Sequence, residues 1–211
     1  MRCADGLNEA KKCFDVVVVC ETMDTKPDNT GMRTVATATL TLEPQVAAHA
    51  DAMFAVLSDP AIYEFENAPP ASAEWLRTRF TKLETRQSAD GQEQWLNWVI
   101  RLPSHELIGY VQATVRTDAS ALIAYELGSA FWGKGLAHQA VSSMISELVS
   151  QYDTRELWAV LKRANHRSTR LLTRLAFTLA TDAQHVELDA EPDESVMHRL
   201  ITASSAPARR D

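Results

Sequence analysis

Cysteine is confined to the first 20 of the 211 residues, at Cys3, Cys13 and Cys20. This spacing fits neither a disulfide framework nor a zinc site, so a reducing, cytoplasmic setting is the simplest interpretation. The chain also lacks any run of about 18 apolar residues, and we expect no membrane partner. Its net charge of −7 lacks the basic excess that nucleic-acid binders use, so we expect no nucleic-acid partner.

Two common catalytic motifs are missing as well. The six histidines are scattered and form no H-E-x-x-H pair, so the sequence predicts no metal site. The pattern G-x-S-x-G is absent, which removes support for a hydrolase nucleophile elbow.

The periodicity of apolar residues divides the chain into three parts. Residues 1–33 read as a loosely ordered extension, residues 34–201 as one domain, and residues 202–211 as a tail. Within the domain we predict strands at 35–42, 95–101, 107–115, 122–127, 157–161, 184–188 and 196–201. We predict helices that begin at Pro44, after the cap Ser72, at 136–149 and at 168–175. This order indicates an α/β (α+β) fold, with one mixed sheet and helices on its faces.

A glycine-rich stretch, GSAFWGKGLAHQAV at 128–141, leads into the helix at 136–149. A dinucleotide fingerprint would need a small residue at His138, and a P-loop would need Ser or Thr after Lys134. Neither requirement is met. The remaining possibilities are a diphosphate held by N–H groups at the start of the helix, or a glycine turn without a ligand.

Three segments together carry a resemblance to a known family. Residues 132–137, WGKGLA, are similar to the coenzyme A pyrophosphate motif Q/R-x-x-G-x-G/A, with tryptophan where Gln or Arg is usual. Residues 165–177, NHRSTRLLTRLAF, are similar to N-x-x-S/A…L-G-F with alanine for glycine, and LIGY at 107–110 is similar to an I-G-Y strand. Over about residues 34–201 the chain resembles GNAT-type N-acetyltransferases, in the branch of ribosomal-protein N-terminal acetyltransferases.

The resemblance implies a mostly antiparallel sheet whose central parallel pair, 122–127 and 157–161, splays apart to admit acetyl-CoA. A bulge near Leu127 and Gly128 would direct an N–H group at the thioester carbonyl. The implied reaction is direct attack by an amine without an acyl-enzyme, and the lack of cysteine after residue 20 agrees with this.

The resemblance and the pattern together give a candidate site. The residues expected to hold coenzyme A are Leu127, Trp132, Gly133, Lys134, Gly135, Leu136, Ala137, Asn165 and Ser168. The catalytic candidates are Glu126 and Ser168, and the substrate candidates are Glu66 and Trp75. Leu172 stands where many family members have a general-acid tyrosine, so another group must serve the leaving thiolate.

The predicted function is transfer of an acetyl group from acetyl-CoA to a primary amine, with no metal. The acceptor is a protein N-terminus or a small molecule, and a homodimer is left open. The alternative is a non-catalytic acyl-CoA-binding module on the same fold.

Overall fold

Alternating strands and helices form one layer of sheet with helices packed on it. The computed structural model describes residues 31–65 and 67–202. The strands are β1 (Val35–Ala36), β2 (Thr41–Pro44), β3 (Glu93–Arg101), β4 (Leu107–Arg116), β5 (Ser120–Leu127), β6 (Glu156–Lys162), β7 (Thr178–Leu179) and β8 (Glu194–Leu200). The α-helices are α1 (Ala50–Leu57), α2 (Ala73–Leu83), α3 (Leu136–Gln151), α4 (His166–Arg174) and α5 (Asp182–Glu187). In this part of the chain, no helix has the length and apolar character needed to cross a membrane.

Within residues 31–65 and 67–202, the sheet has eight strands in the order β1-β2-β3-β4-β5-β6-β8-β7. Each neighbouring pair is antiparallel except β5 and β6, which confirms the predicted central parallel pair. Their pairing covers only Ser120 to Leu122 against Glu156 to Trp158. Both strands then continue, β5 to Leu127 and β6 to Lys162, without further pairing to each other among the described residues. The gap between their carboxyl ends is called the wedge below.

Among the described residues, side chains that alternate along the strands build two large apolar clusters, one on each face of the sheet, and a smaller one around Trp158, Leu188 and Val196. Helices α3 and α4 pack on one face, where their buried residues include Met144, Leu148 and Leu172. Helices α1 and α2 pack on the other face through Met53, Leu57 and Phe80. Burying each such side chain contributes about 1.5–3 kcal/mol, which fixes the helices to the sheet. The prediction of helices on both faces is therefore confirmed.

The predicted strand 35–42 is wrong as a single element, because the chain reverses within it. Thr37 closes a turn, since both its N–H and its hydroxyl donate to the Leu40 carbonyl, at 2.9 and 2.8 Å. Val35 consequently lies opposite Leu42 in a hairpin of β1 and β2. Pro44 ends β2 and does not open a helix.

The predicted strand 184–188 is also wrong, because these residues belong mainly to helix α5. Thr181 accepts a hydrogen bond from the Gln184 N–H at 3.5 Å, and the Gln184 side chain accepts one from the Thr181 N–H at 3.0 Å. This reciprocal cap is a local helix start signal, and it outweighs the short apolar run. Thr178–Leu179 forms the edge strand β7 instead.

The packed body begins before residue 34. Met32 packs against the cluster under α3, and the Arg33 guanidinium bonds the buried carboxylate of Glu147 at 2.8 Å. The Trp98 indole donates to the Arg33 carbonyl at 3.1 Å. Apart from residues 31–33 and Thr202, the predicted extension and tail lie outside the described residues.

Candidate functional site

The edge of β5 that faces the wedge carries outward backbone groups. Gly128 N–H donates to the Ile108 carbonyl at 3.0 Å, and Leu127 lies opposite Gly109 in the same register. Because bonded and non-bonded pairs alternate along an antiparallel ladder, the N–H of Leu127 points away from β4 and toward the wedge. Tyr125 shares this direction. The pairing of β4 with β5 is regular as far as Leu127, so regular strand geometry alone turns the Leu127 N–H toward the wedge, without the bulge expected near Leu127 and Gly128.

The glycine turn, residues 132–135, stands directly before α3. Gly133 and Gly135 have φ angles of +73° and +78°, which side-chain-bearing residues rarely adopt. Gly135 is the N-cap of α3, no side chain caps this end, and its first turn carries no acidic residue. The first N–H groups of a helix lack carbonyl partners within the helix and lie at its positive end. This end of α3 therefore suits an anion.

Trp132 ties the glycine turn to the end of β5. Its indole Nε1 donates to the Leu127 carbonyl at 2.8 Å, which fills the acceptor beside the wedge-facing N–H. The Arg167 guanidinium lies 4.2 Å from the centre of the Trp132 ring and 5.6 Å from that of Phe65. It also bonds the Glu64 carboxylate at 2.7 Å. Arg167 thus links its own helix α4 to the glycine turn and to residues 64–65 around the opening. Each stacked contact of this kind contributes about 0.5–1 kcal/mol at an exposed site.

Helix α4 begins at the opposite side of the wedge. Asn165 is its N-cap, and the Asn165 Oδ1 atom accepts a hydrogen bond from the Ser168 N–H at 3.1 Å. The cap holds the first turn of α4, including the Ser168 side chain, against the opening. Because the cap uses only the oxygen, the amide NH₂ of Asn165 is the part of this side chain available as a donor to a ligand.

The wedge and the glycine turn open into one cleft of about 430 Å³. Its lining includes most of the predicted site residues, namely Glu126, Leu127, Trp132, Gly133, Gly135, Leu136, Ala137, Asn165 and Ser168. Lys134 instead lines a shallower hollow of about 420 Å³ beside it, with Thr37 and Thr39. Of the two substrate candidates, Trp75 lies on α2 and packs against the apolar cluster under α1 and α2, and Glu66 lies outside the described residues.

Glu126 and Tyr125 are neighbours on β5 but face opposite sides of the sheet. Glu126 lies opposite Tyr110, on the face covered by α1 and α2. Burial raises the pKa of the nearby Tyr63, and the negative charges of Glu126 and Asp59 raise it further. The Tyr63 hydroxyl therefore stays neutral and donates to the Leu57 carbonyl at 2.8 Å. Glu126 reaches the cleft at its end nearest α1, where Ile62 and Phe65 also line it.

Tyr125 projects to the other face, toward α4. Its hydroxyl oxygen is fully buried and has no hydrogen-bond partner of ordinary geometry among the described residues. Burial raises the pKa of Tyr125 to about 12, and the adjacent Ser168 hydroxyl opposes this rise. The Ser168 side chain therefore lies beside the Tyr125 hydroxyl without forming a well-aligned bond to it.

A family model described as the acetyltransferase (GNAT) domain matches residues 39–178, about two thirds of the chain. This chain belongs to the GNAT acetyltransferase family. An uncharacterized N-acetyltransferase, p20, of Bacillus licheniformis is 26% identical over 148 residues, which cover 69% of this chain and 83% of that protein.

Solved structures share the GNAT fold at low sequence identity. The ribosomal L7/L12 alpha-N-protein acetyltransferase RimL, in complex with coenzyme A, gives a TM-score of 0.68 at 17% identity, over 80% of this chain and 98% of that one. The ribosomal-protein-S5-alanine acetyltransferase of Vibrio fischeri gives 0.66 at 14% identity, over 80% and 97%. These similarities show the GNAT fold of this chain.

Several cleft residues of this GNAT domain were missed from the sequence. Tyr125, Phe131, Arg167 and Leu171 line the cleft beside the predicted residues. Two signals were available: Tyr125 precedes the predicted Glu126, and Arg167 lies inside the predicted N-x-x-S segment. Among the residues placed by the structure, no group of three or more His, Cys, Asp or Glu side chains could hold a metal ion.

Proposed function

We propose that this GNAT protein transfers the acetyl group of acetyl-CoA to a primary amine by direct attack of the amine on the thioester. One observation carries the proposal: the wedge and the anion-binding end of α3 open into the same cleft. Coenzyme A joins a pyrophosphate to an amide-rich arm, so its binding needs an anion site and a strand edge next to each other.

The residues of the cleft fit the two parts of this ligand. The N–H groups of Leu136 and Ala137, in the first turn of α3, would hold the pyrophosphate. The outward backbone groups of Tyr125 and the amide of Asn165 would bond the arm. Arg170 also lines the cleft and would face the phosphates, with Lys134 at the neighbouring hollow.

The chemistry requires a new bond between the amine nitrogen and the carbonyl carbon, and loss of the carbon–sulfur bond. The wedge-facing N–H of Leu127 would stabilise the charge that develops on the carbonyl oxygen, and one such donor changes rates by about 10²–10³-fold. Glu126 is the candidate to accept the proton of the amine, directly or through water. The sulfur leaves as a thiolate, with Ser168 beside it.

The acceptor is proposed to be a protein N-terminus or a small-molecule amine. RimL and the Vibrio fischeri protein are described as acetyltransferases of ribosomal proteins, and that chemistry supports the choice of N-terminal peptides for testing. Small amines belong in the same test, because Ile62, Phe65 and Glu126 together offer an apolar and anionic end of the cleft.

The test combines coenzyme A binding with thiol release. We expect coenzyme A to raise the melting temperature, and acetyl-CoA to release free thiol in the presence of an accepted amine or peptide. Gly135→Trp should abolish binding, because the side chain would cover the N–H groups. The matched control is Gly91→Trp, which also replaces a left-handed glycine in open space.

Each outcome separates the alternatives. Unchanged coenzyme A affinity in Gly135→Trp would contradict the anion site. Tight acetyl-CoA binding with no thiol release on a broad panel of amines and peptides would instead support the non-catalytic module.

A further inference from the structure

The leaving sulfur of the proposed reaction needs a hydrogen-bond donor. When the carbon–sulfur bond breaks, the sulfur keeps the bonding electrons and departs as a thiolate, and with a thiol pKa of about 8.5 this anion is less stable than the neutral thiol at neutral pH unless it is hydrogen-bonded. Leu172 cannot supply a donor, and its side chain is 1% exposed in the apolar cluster under α4. The donor must therefore come from another residue of the wedge.

Tyr125 and Ser168 meet across the wedge from different elements. Tyr125 comes from β5, and Ser168 comes from the first turn of α4, where the Asn165 cap holds its backbone. Both residues line the cleft together with Leu127. A thioester whose carbonyl oxygen accepts from the Leu127 N–H would have its sulfur in the part of the cleft that these residues line.

The Tyr125 hydroxyl is an unused donor at this place. Its oxygen is fully buried, and no well-aligned partner exists for it among the described residues. A buried hydroxyl without a partner costs about 1–3 kcal/mol. Fold stability alone gives no reason for this cost, since phenylalanine would fill the same space without it.

We propose that Tyr125 is a positioning residue: when the thioester is bound, its hydroxyl donates to Ser168 Oγ and so directs the Ser168 hydroxyl at the leaving sulfur. The inference rests on the proposed function, which supplies the thioester. A serine hydroxyl accepts and donates at once, so it can link the tyrosine to the sulfur.

The pair acts by hydrogen bonding and leaves both hydroxyl protons in place. Burial raises the pKa of Tyr125 to about 12, well above that of a thiol. The tyrosine consequently stays neutral and keeps its donor proton across the physiological range. The thiolate takes its proton from solvent after release.

The experiment measures the pKa of the coenzyme A thiol bound to the full chain, from the ultraviolet absorbance of the thiolate against pH. The same titration with desulfo-coenzyme A, which has no thiol, removes the contributions of tyrosine and of the protein's own cysteines. We expect the bound thiol to titrate below free coenzyme A, because hydrogen bonds to the anion favour it. Tyr125→Phe and Ser168→Ala should each raise the bound value by about one unit.

The double variant should titrate like Ser168→Ala alone, because the tyrosine acts through the serine. Tyr152→Phe is the matched control, since the Tyr152 hydroxyl is also buried and has no partner among the described residues, but lies at the end of α3, outside the cleft lining. Its bound thiol should titrate as in the unmodified protein.

Two results would overturn the proposal in distinguishable ways. If Tyr125→Phe binds coenzyme A but leaves the thiol pKa unchanged, the positioning role is wrong and the proposed function stands. If the unmodified protein gives no thermal shift with coenzyme A, the proposed function itself fails.

Discussion

Gly109 shows how a single missing atom shapes the end of β5. An added Cβ would lie 2.1 Å from the Glu126 carbonyl oxygen and 2.8 Å from the Leu127 Cα atom. Gly133 and Gly135 differ, because an added Cβ would meet nothing within 4 Å there and only their left-handed backbone requires glycine. The similarity of residues 107–110 to an I-G-Y strand identified Gly109 from the sequence, but only its packing against β5 explains why glycine is needed there.

Gly109→Ala should therefore lower the free energy of unfolding by about 2–3 kcal/mol, because backbone atoms of β5 must move. Gly91→Ala is the control: it also has positive φ but open space, and should cost about 1 kcal/mol. Urea denaturation measures both. Equal losses in the two variants would show that the contact with β5 carries no cost.

At the scale of elements, the start of α4 combines a structural and a proposed binding role in one side chain. The oxygen of Asn165 caps the helix, and its NH₂ group is proposed to bond the coenzyme A arm. The sequence located Asn165 through a motif, whereas the cap appears only when the Ser168 N–H is placed 3.1 Å away.

Asn165→Asp separates the two roles, because aspartate keeps the capping oxygen and loses the NH₂ donors. We expect stability within about 0.5 kcal/mol of the unmodified protein but weaker coenzyme A binding by calorimetry. Asn165→Ala should lose both, with about 1 kcal/mol of stability. Undiminished affinity in Asn165→Asp would remove the amide from the binding site.

At the scale of the whole molecule, several groups make stability depend on pH. The Arg101 guanidinium hydrogen-bonds Glu43 and holds the pKa of that carboxyl below its usual value. Burial lowers the pKa of His49, although Glu43 opposes this. In both cases the folded pKa lies below the unfolded one, so the stability is present above the unfolded pKa and is lost as pH falls.

We therefore expect the urea midpoint to be level above about pH 6.5, to fall as His49 is protonated, and to fall again below about pH 4.3. His49→Asn should remove the first fall, because asparagine does not titrate. The variant should still fold, because the asparagine side chain can accept from the Val46 N–H, which His49 Nδ1 bonds at 3.2 Å. A midpoint in the unmodified protein that stays level down to pH 5 would contradict this.

Periodicity predicted most of the fold, and its failures have local causes. The helices on both faces and the start of α3 follow from helical spacing and glycine, whereas the splayed pair was implied by the family resemblance. The single strand predicted at 35–42 is a hairpin in the structure, because Thr37 closes a turn without glycine or proline. The strand at 184–188 failed because the cap between Thr181 and Gln184 outweighs a short apolar run.

The sequence by itself determined the family, the glycine turn and the Ser72 cap, because each depends on residues close together in the chain. Only the tertiary structure decided that Tyr125 meets Ser168, that Arg167 stacks on Trp132, and that Lys134 lies outside the main cleft. These contacts depend on where β5 and β6 separate and on how α3 and α4 pack across them. Such placement is set by the summed packing of distant segments, which no local pattern encodes.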